Sequence, residues 1–226
     1  MKKRCVIVGG APIENYKRVR SYLREDDFII YCDCGLKHRD ELGANPDLIV
    51  GDFDSYEKSR LGGISIDMET GMARDEESSE VIELCPVKDD TDTSHAVTVA
   101  LERGFEDFLL VGVTGRRMDH TLGNVYMLHR LDELGKQAMI VDDYSEMSII
   151  NRSEVYVDDS MPFFSLINIT GTARGICIEN AKYPLKDAEI VQIHNDLGVS
   201  NEVLPGKTAK ISVRDGKLLL IRDIMG

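Results

Sequence analysis

Acidic residues gather in three short stretches: Gly51-Asp52-Phe53-Asp54-Ser55, Lys88-Asp89-Asp90-Thr91-Asp92 and Arg117-Met118-Asp119-His120. Carboxylates that converge repel one another unless a cation lies between them, and hard oxygen donors of this kind suit Mg²⁺. Asp52 and Asp54 stand two residues apart, a spacing that points both side chains the same way in extended chain. Arg117 adds a planar cationic fork suited to phosphate oxygens, and Lys88 adds a point charge beside the second acidic group. The combination points to phosphate chemistry. Each stretch also has a plainer reading. Asp52 and Asp54 can cap a helix or form Asx turns, and Asp89, Asp90 and Asp92 can serve the dipole of a following helix. Arg117 and Lys88 can be solvated surface charges, and His120 a cap or packing residue. Three acidic loops at one sheet edge are harder to assign to chance than any single one.

A parallel sheet would bring them there. Leu48–Val50 precedes the first stretch, Val81–Leu84 the second and Phe108–Val111 the third. Apolar runs of this length, alternating with helical patterns, read as buried strands, and ligands bind beyond the carboxyl ends of such strands. Cys5–Val8, Phe28–Cys32 and Ala138–Val141 complete the strand set, with helices over Asn15–Leu23, Leu36–Leu42, Thr91–Arg103 and His120–Leu134. The expected fold is an α/β N-terminal domain with a mostly parallel, doubly wound sheet over residues 1–143. From 144 to 226 the pattern changes to an all-β sandwich. Its strands are expected over Met147–Ile150, Val155–Val157, Phe163–Ile169, Ile176–Glu179, Ile190–Ile193, Ala209–Val213 and Leu218–Ile221, separated by turn residues. Arg60–Ser79 lacks periodicity and reads as a surface excursion.

A chain of 226 residues with 42% apolar and 30% charged residues is an ordinary globular protein. A net charge of −13 argues against a nonspecific binder of nucleic acid or acidic membranes. It does not exclude an anionic nucleotide, whose site is set by local cations. Five cysteines without a pairing pattern read as small hydrophobes in a reducing compartment, although Cys32 and Cys34 would share one face of a strand end. No signal peptide or membrane-spanning run stands out, so the chain is expected in the cytoplasm. Gly206-Lys207-Thr208 fails as a P-loop, because Asn201 stands where the first glycine belongs.

At these residues the sequence resembles the thiamine pyrophosphokinases. The matching stretches are Pro46-Asp47-Leu48-Ile49-Val50-Gly51-Asp52-Phe53-Asp54-Ser55, Lys88-Asp89-Asp90-Thr91-Asp92 and Gly112 to Asn124. The later half adds Leu166 to Gly175, Lys182-Tyr183-Pro184-Leu185 and Gly198-Val199-Ser200-Asn201-Glu202. The resemblance implies transfer of pyrophosphate from ATP to the thiamine hydroxyl, giving thiamine diphosphate and AMP. It implies that Asp52, Asp54 and Asp92 hold Mg²⁺, and that these three and Arg117 carry catalysis. It places Asp33, Lys88, Asp89, Thr91, Asp119, His120 and Asn124 on the nucleotide side. Ser200 and Asn201 would contact thiamine, in a homodimer whose active site is shared between subunits. Departures from the family pattern are the absence of tryptophan, Val203-Leu204 where an aromatic is common, and Cys34 where a small residue is usual. Two other readings stay open: a pyrophosphokinase for another alcohol such as a pterin, and a catalytically silent thiamine- or nucleotide-binding protein.

Overall fold

The computed structural model describes residues 4–51, 65–66, 73–74, 80–83, 91–191 and 197–224. The chain divides into two compact units, Met1–Ala138 and Met139–Gly226, each taken by itself below.

The first unit alternates strand and helix. It runs β1 (Arg4–Val8), α1 (Tyr16–Arg20), β2 (Phe28–Cys32), a 3₁₀ helix (Asp33–His38), α2 (Arg39–Leu42) and β3 (Leu48–Gly51). Then come β4 (Ser65–Ile66), β5 (Ala73–Arg74), β6 (Glu80–Glu83), α3 (Asp92–Glu102), β7 (Asp107–Val111) and α4 (Met118–Glu133). The sheet order is β7-β1-β2-β3-β6-β5-β4, with the first five strands parallel and the last two antiparallel. The expected mostly parallel sheet is therefore present.

Burial explains why these runs were legible as strands. All five residues of β1 are buried, as are the last four of β2 and β7, so their sequences are continuous apolar runs without alternation. Helix α3 turns Ala96, Val97, Val99 and Ala100 inward. At the start of β1, Arg4 and Asp27 are 5% and 2% exposed and pair through two hydrogen bonds of 2.9 and 2.7 Å. The Arg4 guanidinium also donates to the Tyr22 carbonyl at 2.6 Å. A buried charge is tolerable only when its partners are this complete.

Two local expectations change. The helix expected from Leu36 begins instead as a 3₁₀ turn at Asp33, directly off β2. Gly35 explains the tight turn: a Cβ there would sit on the Val8 carbonyl of the neighbouring strand. Because β2 ends at Cys32, strand alternation stops, and the two thiols part company: Cys32 is buried and Cys34 exposed. Within Arg60–Ser79, β4 and β5 form a short antiparallel pair.

The second unit is antiparallel. Its strands are β8 (Gln137–Val141), β9 (Ser145–Asn151), β10 (Glu154–Asp158), β11 (Phe163–Ile167), β12 (Thr172–Glu179), β13 (Leu185–Val191), β14 (Asn201–Glu202), β15 (Thr208–Ser212) and β16 (Lys217–Asp223). One sheet is ordered β14-β11-β16-β9-β8 and the other β10-β15-β12-β13. Ile150, Phe164, Leu166 and Leu220 from the first meet Ile176, Ile178, Ile190 and Ile211 from the second in one core, which makes a sandwich. The strand expected at Ile190–Ile193 is β13, which starts earlier, at Leu185. A register shift against β12 and Asp187 at φ +48° interrupt its alternation, which hid it in the sequence. Among the described residues no helix is long and apolar enough to cross a membrane.

Candidate active site

The chain leaves β1 outward through β2, β3 and β6, then returns in β7 on the other side of β1. Connections therefore diverge at the carboxyl ends of β1 and β7, the position where doubly wound sheets open a crevice. A cavity of about 550 Å³ lies there.

Its floor is backbone. Gly9 donates from its N–H to the Val111 carbonyl at 2.9 Å, and Ala11 donates to the Gly112 carbonyl at 2.7 Å. The two strand ends approach so closely that a Cβ on Gly9 would lie 2.6 Å from the Gly112 oxygen, and a Cβ on Gly112 would lie 2.6 Å from the Gly9 oxygen. Gly112 also has φ +62°, a conformation that favours glycine. Side chains then hold the loop after β7 from below. Asn124, 7% exposed, donates through its amide nitrogen to the Val113 carbonyl at 2.8 Å. The Thr121 hydroxyl accepts from the Gly115 N–H at 3.0 Å and donates to the Arg117 carbonyl at 3.0 Å.

The walls bring together several residues singled out in the sequence. Thr91 and Asp92 come from the start of α3, and Arg117, His120 and Asn124 from the start of α4. Thr91 is the cap of α3, its hydroxyl accepting from the Ser94 N–H at 3.2 Å, so Asp92 is not needed for that task. Asp92 is the first helical residue and its carboxylate faces a favourable dipole end.

Two expected nucleotide-side residues are not on the cavity wall. Asp33 is 3% exposed, between the wall residues Cys32 and Cys34, and Gly51 leaves it room: a Cβ on Gly51 would come within 2.7 Å of the Asp33 Cβ. Asp119 stands on the exposed surface in a bidentate pair with Arg117, at 2.9 Å from Nε and 2.6 Å from the terminal nitrogen. Its hydrogen bond from the Arg117 guanidinium holds the Asp119 carboxyl well below the usual carboxylate range. Asp52, Asp54, Lys88 and Asp89 lie outside the described residues.

Gly9, Gly10 and Lys37 on the wall stood outside the matching stretches, while Gly112, Gly115 and Arg116 fell within Gly112 to Asn124 without a role of their own. For Gly9 and Gly10 the usable signal was their place just after an apolar run. Cys34 is also on the wall, and burial, with the Asp33 carboxylate second, pushes its thiol up, away from the reactive thiolate.

The candidate metal ligands among the described residues reduce to Asp92, and those residues contain no cluster of three or more metal-binding side chains. The donor chemistry still fits Mg²⁺, which is commonly held by one or two carboxylates together with substrate phosphates and waters.

Ser200 and Asn201 belong to the second unit. Ser200 has φ +56° and donates its N–H to the Ser165 hydroxyl at 3.0 Å. Asn201, 2% exposed, uses both ends of its amide on backbone. Its oxygen accepts from the N–H of Tyr183 at 3.0 Å and of Glu202 at 2.9 Å, and its nitrogen donates to the Tyr183 carbonyl at 2.8 Å. Asn201 therefore clamps the turn that carries Tyr183, whose ring is exposed. Asn201→Ala leaves these buried backbone groups without partners and is expected to cost roughly 1–3 kcal/mol. Thermal unfolding checks it, and an unchanged midpoint would remove the clamp.

Comparison with known proteins covers both units. Residues 19–141 match the thiamin pyrophosphokinase catalytic domain, and residues 148–218 match the vitamin B1 binding domain of the same family. The thiamine pyrophosphokinase of Bacillus subtilis (strain 168) is 26% identical over 220 residues, 96% of this chain and 97% of that protein. A crystal structure of thiamine pyrophosphokinase from Bacillus subtilis superposes with a TM-score of 0.80 at 26% identity, covering 98% of this chain and 99% of that one. A thiamin pyrophosphokinase structure from Geobacillus thermodenitrificans gives 0.77 at 26% identity, covering 97% of each chain.

Proposed function

This chain belongs to the thiamin pyrophosphokinase family, and on that premise we propose how its own residues divide the work of that enzyme. The reaction moves a pyrophosphate group from ATP to thiamine. We assign the polyphosphate to the cavity at the ends of β1 and β7, and thiamine to the second unit around Ser200. The observation that supports this division is the cavity wall, where, among the described residues, Arg117 and two further cations meet glycine backbone and one carboxylate, Asp92.

The thiamine hydroxyl oxygen forms a bond to the β-phosphorus while the bond from that phosphorus to the α,β-bridging oxygen breaks, releasing AMP. The hydroxyl proton leaves to a carboxylate, for which Asp92 and Asp54 are the candidates. Negative charge grows on the leaving oxygen and on the transferred group. Transfer of this kind needs little covalent chemistry from the protein, and catalysis rests on positioning and charge. Asp92, Asp52 and Asp54 would hold Mg²⁺, which when bound neutralises part of the polyphosphate charge. Arg117 orients toward the phosphates from the head of α4, with Asp119 fixing its guanidinium. His120, Thr91 and Asn124 shape the nucleotide side of the cavity, Asn124 through the Val113 carbonyl. Asp33 supports the wall between Cys32 and Cys34, and Lys88 and Asp89 are assigned to the nucleotide side on the family motif. Ser200 contacts thiamine directly, while Asn201 positions the Tyr183 turn. We further propose that the enzyme works as a homodimer in the cytoplasm.

Incubating the protein with MgATP and thiamine, then separating the products, tests this reading. Equimolar AMP and thiamine diphosphate are expected, with both abolished by EDTA. AMP without thiamine diphosphate would point to another acceptor, and neither product would leave a silent binding protein. Sedimentation of the purified protein checks the dimer.

A further inference from the structure

Among the described residues three cationic side chains line the cavity, and one of them has an acidic partner there. Arg117 is committed to Asp119. Arg116, exposed at the end of the loop after β7, makes no ion pair or hydrogen bond with any described residue. Lys37, on the 3₁₀ helix after β2, has one hydrogen bond among the described residues, from its ammonium to the Gly10 carbonyl at 2.5 Å. That contact leaves two of its three N–H donors to the cavity.

The two cations stand on either side of one loop. Gly10 belongs to the turn that follows β1, and Lys37 grips it from the β2 side. On the β7 side, Gly115 packs the same turn so closely that a Cβ there would lie 3.3 Å from Pro12. Arg116 is the next residue. The cavity thus has a glycine floor with a cation at each flank and, among the described residues, one wall carboxylate, Asp92.

We propose that Lys37 and Arg116 form a second cationic pair, apart from Arg117, that binds the polyphosphate chain of the nucleotide and selects for its charge. The proposal rests on the reading of this cavity as the nucleotide site. Arg116 offers a planar fork for two phosphate oxygens and Lys37 a point charge that is already oriented by Gly10. Neither interaction involves the base or ribose, so the pair acts on every nucleotide according to its phosphate count.

Calorimetric titration of the full chain with ATP, inorganic tripolyphosphate and adenosine tests this, using Arg116→Ala, Lys37→Ala and Arg116→Lys. Each alanine variant is expected to weaken ATP and tripolyphosphate by roughly ten-fold, the loss typical of one charge-assisted contact, with adenosine unchanged. The salt dependence of ATP binding should become shallower, and Arg116→Lys should recover part of the affinity. Unchanged ATP affinity in both alanine variants would overturn the proposal. So would equal weakening of adenosine, which would mean that the residues shape the cavity and do not read charge. A wild-type protein that binds tripolyphosphate through these residues yet makes no thiamine diphosphate would sink the functional assignment and leave the cationic pair standing.

Discussion

Asp92→Asn is expected to lower kcat by about 10²–10³-fold, the effect of removing one preorganised electrostatic group from a reaction centre. The change keeps the side chain's shape and removes only its charge. Asp92 is the first residue of α3, so a structural explanation must be weighed against the catalytic one. As a dipole partner the carboxylate contributes about 0.3–1 kcal/mol to the helix. Thr91, not Asp92, caps α3, so the helix keeps its start in the variant. A loss of less than about 1 kcal/mol in stability cannot produce a barrier increase of roughly 2.7–4 kcal/mol. Kinetics and thermal unfolding on the same preparation separate the two. A large drop in kcat with a midpoint shift of a few degrees supports the catalytic role, and an unchanged kcat removes Asp92 from the reaction centre.

The parts of this enzyme that were legible in the sequence share one physical cause. β1, β2 and β7 are buried on both faces, so apolar runs occupy them, and their alternation with helices made a mostly parallel sheet legible, though not its strand order. The acidic stretches were legible because three of them follow apolar runs toward one sheet edge, although each alone has structural uses. Lys37 had no such context, and Arg116 lay within the Gly112 to Asn124 stretch with no role assigned to it. A single cation in a loop has many surface roles, and only the fold shows that these two flank the same turn. The pairing of Arg117 with Asp119 was hidden for a related reason, since their exposure at the head of α4 depends on where the helix starts. Cys34 was misplaced because strand alternation was carried past Cys32, where the chain had already tightened into a 3₁₀ turn. β14 is only two residues long and carries no period at all.

The glycine floor shows the same limit most clearly, because Gly9 and Gly112 are distant in the chain and matter only through their mutual approach. Gly112→Ala is expected to destabilise the first unit by roughly 3–5 kcal/mol. Two separate costs add. The residue holds φ +62°, where an added Cβ is strained, and that Cβ would stand 2.6 Å from the Gly9 carbonyl oxygen. The obstacle is backbone, held by hydrogen bonds between the ends of β1 and β7, so no side-chain rotation relieves it. Gly9→Ala meets the same gap from the other side, 2.6 Å from the Gly112 oxygen, but without the left-handed backbone. It should therefore cost less, by roughly the 1–2 kcal/mol that handedness alone imposes. In the double variant the gap is forced open once for both side chains, so the combined loss should fall short of the sum. Chemical denaturation of the four proteins measures all three quantities. ATP affinity should fall with the gap if the nucleotide binds where proposed, since the carbonyls and amides of this floor line that cavity. An alanine at Gly112 that left both stability and ATP affinity intact would mean that the two strand ends do not meet in this way.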